Sequence, residues 1–149
     1  MKELKDMTIG IANDHAGTEL KFYLMEQLKN KFKEIKNFGT DSTDSCDYPD
    51  FAHPLANAVE KGECDFGIAI CGTGNGICMT CNKHQGIRAG LSWQPEIARL
   101  ARAHNNANIL GLPARFVTKT VAMEIVEAFF STDFEGGRHE RRINKIPVK

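Results

Sequence analysis

Charge of one sign is what the chain most obviously lacks: 19 Lys and Arg are matched by 19 Asp and Glu, for a formal net charge of zero. Without a broad basic field, nucleic acid is excluded as a main partner. Long apolar runs are absent too. None approaches the roughly 20 residues that a helix needs to cross a bilayer, so no membrane association is expected. The opening Met1-Lys2-Glu3-Leu4-Lys5-Asp6 has no apolar core of the kind that marks a secretory signal. Cysteine is sparse and odd in number, five in all. With no secretory signal ahead of them, free thiols in a reducing cytoplasm are the simplest expectation. No repeat, linker or low-complexity stretch interrupts the sequence, which reads as one domain over residues 1–149 with a core of ordinary size.

What is present is an alternation of apolar runs and helical periods. Met7 to Ala12 reads as a first strand, followed by the polar loop Asn13-Asp14-His15-Ala16-Gly17. Leu20, Leu24 and Leu28 recur every four residues and predict an amphipathic helix from Ala16 to about Asn30. Lys33 to Phe38 is a weaker strand closed by Gly39, and Thr40 to Pro49 a polar loop. Phe51 to Lys61 predicts a helix with Leu55, Ala58 and Val59 toward the core, stopped by Gly62. Asp65 to Cys71 is the third strand and Gly76 to Asn82 the next helix. Ile87 to Leu91 and Asn108 to Leu112 complete the strands, separated by a helix over Glu96 to His104 with Pro95 at its start. Thr118 to Phe130 is a helix with Val121, Ile125 and Phe129 on one face, and the tail from about residue 135 reads as a flexible glycine hinge and a basic turn.

Five strands alternating with five helices predict an α/β fold: a three-layer α/β/α sandwich with a five-stranded parallel sheet, Rossmann-like. Ligands of such sheets bind at the carboxyl ends of the strands, near the switch in strand order. The loops expected there are Asn13–Gly17, Cys71–Gly76, Ser92–Pro95 and the residues after Leu112.

The most informative stretch is Phe66-Gly67-Ile68-Ala69-Ile70-Cys71-Gly72-Thr73-Gly74-Asn75-Gly76, a buried strand that stops abruptly and feeds a helix. Alternate glycines let successive N–H groups converge into a nest that attracts developing negative charge. Cys71 stands at its lip, where a thiol can act as base or nucleophile. The loop is not G-x-G-x-x-G, no acidic residue ends the following strand, and no Gly-Lys-Ser/Thr follows, so neither nucleotide fingerprint fits. A plain tight turn and an anion site fit the loop equally well, and a lone Cys71 is more often a small buried hydrophobe.

The other candidates each carry a plainer reading. Cys78 and Cys81 form a C-x-x-C, but the second ligand pair of a zinc site is missing, and helix packing is favoured. Asp14 is a helix cap with His15 exposed, or the two reach the pocket of Cys71. His104 ends a helix, where a dipole partner is the ordinary role. His53 and His84 read as surface or packing residues, and Trp93 as pocket wall or core. Arg138 and Arg142, four apart, share a face if the tail is helical and then form a phosphate clamp, with His139 and Arg141 pointing elsewhere; a solvated basic tail fits the spacing as well. Arg115 joins that clamp or forms a salt bridge.

Six motifs then appear in order: Asp14-His15-Ala16-Gly17, Phe38-Gly39-Thr40, Asp47-Tyr48-Pro49-Asp50, Cys71-Gly72-Thr73-Gly74-Asn75-Gly76, His104-Asn105-Asn106-Ala107-Asn108 and Phe134-Glu135-Gly136-Gly137-Arg138-His139. Together they resemble the ribose/galactose isomerase family, that of ribose-5-phosphate isomerase B and the galactose-6-phosphate isomerase subunits. The resemblance runs from about Met7 to Ile143. It implies an aldose–ketose isomerase without metal or cofactor, working in the cytoplasm on a sugar phosphate as a homodimer or homotetramer with the site at a subunit interface. It matches Cys71 to the proton-abstracting base, His104 to the ring-opening acid, and Asp14 and His15 to substrate contacts. Gly72, Thr73, Gly74, Asn75 and Gly76 match the loop around the reacting carbonyl, with the Thr73 hydroxyl steadying the intermediate. Asn105, Arg115, Arg138 and Arg142 match the remaining substrate and phosphate contacts. The tail over about 135–149 is expected to serve the phosphate site or the subunit interface. Asn75, Trp93 and Pro113 depart from the family pattern, and Asn75 and Trp93 stand at pocket positions that bear on which sugar is preferred.

Overall fold

The computed structural model describes residues 1–148. Its centre is a sheet of five parallel strands in the order β2-β1-β3-β5-β4: β1 Thr8–Asn13, β2 Glu34–Asn37, β3 Phe66–Cys71, β4 Ala89–Leu91 and β5 Ile109–Pro113. β3 and β5, and β1 between Thr8 and Asn13, are buried apolar runs because helices cover both of their faces. β2, at the edge, is short and half-exposed, with Glu34, Lys36 and Asn37 among its four residues.

Six helices flank the sheet: α1 Thr18–Leu28, α2 Pro49–Glu60, α3 Asn75–Cys81, α4 Pro95–Asn105, α5 Lys119–Phe130 and α6 Arg138–Ile143. α1, α4 and α5 bury Leu20, Leu24, Leu28, Ala98, Ile125 and Phe129 against one face. α2 and α3 bury Leu55, Val59, Ile77 and Cys81 against the other. The expected three-layer sandwich is thus the observed one.

The differences lie at element ends. The first helix is preceded by a 3-10 turn over His15–Gly17, because the Asp14 carboxylate captures the Ala16 N–H at 3.0 Å and closes the chain early. α2 begins at Pro49 rather than Phe51, since proline is pre-shaped for the first helical turn. The basic turn expected in the tail is instead a helix, α6, entered through Gly136 and Gly137, both at positive φ. Among the described residues no helix is long and apolar enough to cross a membrane.

Candidate active site

The chain leaves β1 for β2 on one side and then returns to β3 on the other. Its crossovers, α1 and α2, therefore cover opposite faces, and a crevice opens between the carboxyl ends of β1 and β3. Two loops meet there, joined by the Asp14 N–H donating to the Ile70 carbonyl at 3.2 Å. Cys71 ends β3, 5% exposed. The chain after β5 folds over it: Ala114 N–H donates to the Cys71 carbonyl at 2.9 Å and Arg115 N–H to the Gly72 carbonyl at 3.0 Å. This lays the Arg115 guanidinium on Gly72, where a Cβ would lie 3.0 Å from Nη1. Arg115 has no carboxylate partner among the described residues, which removes its salt-bridge reading.

The loop turns at Gly74, whose φ of 78° lies in the left-handed region that favours glycine. The Thr73 hydroxyl accepts from the Asn75 N–H at 3.2 Å, anchoring the start of α3. Asp14 is buried, and both of its readings are compatible with that position, since it caps the 3-10 turn at the rim of the crevice. His15 is half-buried rather than exposed, its Nδ1 accepting from the Cys46 N–H at 3.2 Å. Beside the glycine loop lies a cleft of about 400 Å³ lined by Thr73, Asn75, Leu91, Trp93, Pro113 and Phe116. Trp93, 53% exposed, is a cleft wall and not core.

His104, Asn105, Arg138 and Arg142 are elsewhere. α4 runs back down the sheet from the end of β4, so its last residues lie by the start of the strands, where Arg88 Nε donates to the Asn105 carbonyl at 3.1 Å. The tail joins them through Glu135 N–H donating to the Ala103 carbonyl at 3.0 Å. From that end to Cys71, the β5 register from Ile109 to Pro113 spans about 13 Å of strand. One chain thus carries two half-sets of candidate residues at opposite ends of its sheet.

In the second half-set, Arg138 and Arg142 are exposed on α6 and free of ion pairs among the described residues. His139 points away from the two arginines and is no part of a solvated tail; it is 6% exposed and stacks on His104. Its ring is held below the ordinary imidazole range, first by burial and then by the charges of His104, Arg138 and Arg142. Glu135 Oε1 sits 3.5 Å from His139 Nε2 and 3.9 Å from His104 Nε2. These three have metal-ligand chemistry and lie within 4.8 Å of one another. However, near-parallel rings do not aim their in-plane lone pairs at one point, and the α6 arginines repel a cation. No metal role is assigned to them.

Cys64, Cys78 and Cys81 fit packing. Burial pushes Cys78 and Cys81 up to about 12, and Cys64 also upward. Sequence reasoning missed Glu135, His139, Cys46 and Phe116 as neighbours of the candidate sets. Only Glu135 and His139 left a signal, inside the last of the six motifs.

A crevice at the switch point, with a cysteine at the end of one strand and a glycine turn beyond it, defines a small-molecule α/β/α protein. The model of the family described as Ribose/Galactose Isomerase matches residues 9–146. The chain belongs to the ribose/galactose isomerase family and is an isomerase. It is 48% identical over 140 residues to the probable ribose-5-phosphate isomerase B of Mycoplasma genitalium, covering 93% of this chain and 92% of that one. Among solved structures, ribose 5-phosphate isomerase from Thermotoga maritima superposes with a TM-score of 0.92 at 49% identity, covering 95% and 97%. The M. genitalium ribose-5-phosphate isomerase B with bound ribulose-5-phosphate superposes with a TM-score of 0.89 at 48% identity, covering 93% of each chain.

Proposed function

We propose that the protein interconverts ribose 5-phosphate and ribulose 5-phosphate through a cis-enediolate, with Cys71 as the base. The observation that carries the reading is Cys71 at the switch point, followed at once by the glycine turn, with Arg115 laid on Gly72 and without a carboxylate partner among the described residues. The complex of a 48% identical relative with ribulose-5-phosphate supports the choice of sugar.

In this scheme His104 assists ring opening to the free aldehyde. The Cys71 thiolate takes the C2 proton, and the electron pair moves onto O1. Amide donors of the Gly72 to Gly76 loop, apart from the Asn75 N–H that the Thr73 hydroxyl holds, and that hydroxyl steady that oxygen while the O2 proton passes to O1. The Cys71 thiol then returns its proton to C1, leaving the C2 ketone. One such donor typically contributes about 3–4 kcal/mol to the transition state. Asp14, His15, Asn75, Asn105 and Arg115 bind the sugar, and Arg138 and Arg142 clamp the phosphate so that binding energy orients C2 at the sulfur. Each step uses groups of the protein alone.

Because the two half-sets lie at opposite ends of one sheet, the scheme requires a second copy whose His104 and α6 end faces the first copy's Cys71. The exposed Trp93 and Phe116 beside the glycine loop suit burial in such a pairing. The tail over about 135–149 then serves phosphate site and interface together; Lys149 lies outside the described residues.

The test is purified protein with ribose 5-phosphate, followed by appearance of the ketose. Allose 6-phosphate and galactose 6-phosphate in the same assay address the six-carbon alternative, which Asn75 and Trp93 on the cleft wall keep in view. No turnover of any sugar phosphate, with binding retained, would leave a sensor instead.

A further inference from the structure

Lys21 is 0% exposed, among the largest fully buried side chains of the described residues, yet it takes no part in the scheme above. Its ammonium reaches from α1 to the loop after β2, donating to the Thr40 carbonyl, the Asp41 carboxylate and Asn37 Oδ1. A buried ammonium is tolerated only when its protons are satisfied in this way. The same loop is stitched twice more, once to the end of β1 and once to the start of α1. Asn13 Nδ2 donates to the Thr40 carbonyl at 3.1 Å, and Thr18 Oγ1 donates to the Ser42 carbonyl at 2.7 Å. Gly39 is pressed so closely on Asn13 that a Cβ there would lie 2.7 Å from its backbone nitrogen. These ties hold one end of a strap, residues 39–48, that runs across the crevice. At its far end the Tyr48 ring lies against Gly76, 2.6 Å from where a Cβ would stand.

Two residues before Tyr48, the Cys46 N–H donates to His15 Nδ1 at 3.2 Å. A backbone N–H can only donate, so Nδ1 must present its lone pair, and the neutral ring carries its proton on Nε2. We infer that Lys21 is a positioning residue of the isomerase site: through the strap it fixes His15 as the Nε2–H tautomer, a hydrogen-bond donor to the sugar phosphate. This rests on the reading of His15 as a substrate contact. The tautomer itself does not depend on that reading.

The experiment is a long-range proton–nitrogen correlation spectrum of protein labelled with ¹⁵N at histidine, without sugar phosphate, the His15 signals being assigned by their loss in His15→Gln. The expected pattern is a protonated Nε2 and a bare Nδ1. In Lys21→Met the pattern moves toward tautomer averaging, KM for ribose 5-phosphate rises about tenfold, as for one lost hydrogen bond, and kcat changes less than about threefold. Asp41→Asn, at an exposed position, shifts both readouts in the same direction by less, and decides the matter if Lys21→Met does not fold. A protonated Nδ1 in the wild type overturns the inference, as does a folded Lys21→Met, or Asp41→Asn in its place, with wild-type pattern and KM. If the wild type turns over no ribose 5-phosphate, the isomerase reading falls, while the spectra still decide whether the strap sets the tautomer.

Discussion

His104 and His139 stack with ring centroids 4.2 Å apart and planes 11° from parallel. They come from α4 and α6, so the contact docks the tail helix onto the body of the protein. It also couples the expected ring-opening histidine to a buried neighbour whose Nε2 makes no hydrogen bond among the described residues, the Glu135 carboxylate 3.5 Å away being its nearest charge partner.

That stack makes the tail sensitive to acid. The folded protein holds His139 below its ordinary 6.5, so the unfolded chain binds the proton more readily. The contribution of His139 to stability is therefore complete above 6.5 and is lost as pH falls below it toward the folded value. Urea midpoints measured over that window should fall with pH in the wild type and fall less in His139→Phe, which keeps a ring in the stack.

Replacing Cys71 by Ala should lower kcat by roughly 10²–10⁴, the usual contribution of a positioned proton-transfer group. Exchange of the C2 proton with solvent deuterium is the direct readout. Exchange at the wild-type rate in the variant would show that another group is the base.

If the site is shared between two copies, Cys71→Ala and His104→Ala should each be inactive alone and complement each other when mixed. Random reassociation of a two-fold pair should restore about a quarter of the wild-type sites. Activity that stays at zero after the subunits have exchanged would show that the two residues serve one chain's site and not a shared one.

Arg138→Ala and Arg142→Ala should raise KM for ribose 5-phosphate by roughly tenfold or more each, as for a lost charge-assisted hydrogen bond. Steady-state kinetics at low ionic strength give the measurement. Both should leave the thermal midpoint nearly unchanged, because the two side chains are exposed.

Gly74→Ala should destabilise the fold by about 1–2 kcal/mol from the left-handed backbone alone. The loss should be larger because the new methyl would run into Leu91 Cδ1. Denaturant unfolding gives the stability, and loss of isomerase activity at temperatures where the variant is folded gives the effect on the loop.

The resemblance to a known family came from six short motifs, and most of the architecture was legible with it. Leu20, Leu24 and Leu28 marked α1 because a helix buries a stripe of fixed period, and the apolar run to Cys71 marked a central strand because both of its faces are covered. The glycine turn was legible because backbone geometry there admits little else. Less legible was the tail: α6 has only six residues and a helix so short has no period of its own to read. His139 looked like one more polar residue in a basic segment, and its burial depends on α4, more than thirty positions away.

From sequence alone came the order of elements, the covered sheet and the residues worth testing, since local periods and turn chemistry act over a few neighbours. Only the tertiary structure decided how those residues are distributed. A helix that follows a parallel strand must run back before the next strand begins, so residues at its start and its end are driven to opposite ends of the sheet. That constraint separates His104 from Cys71 within one chain, while long-range packing brings Arg115 onto Gly72 and buries Lys21 beneath the strap.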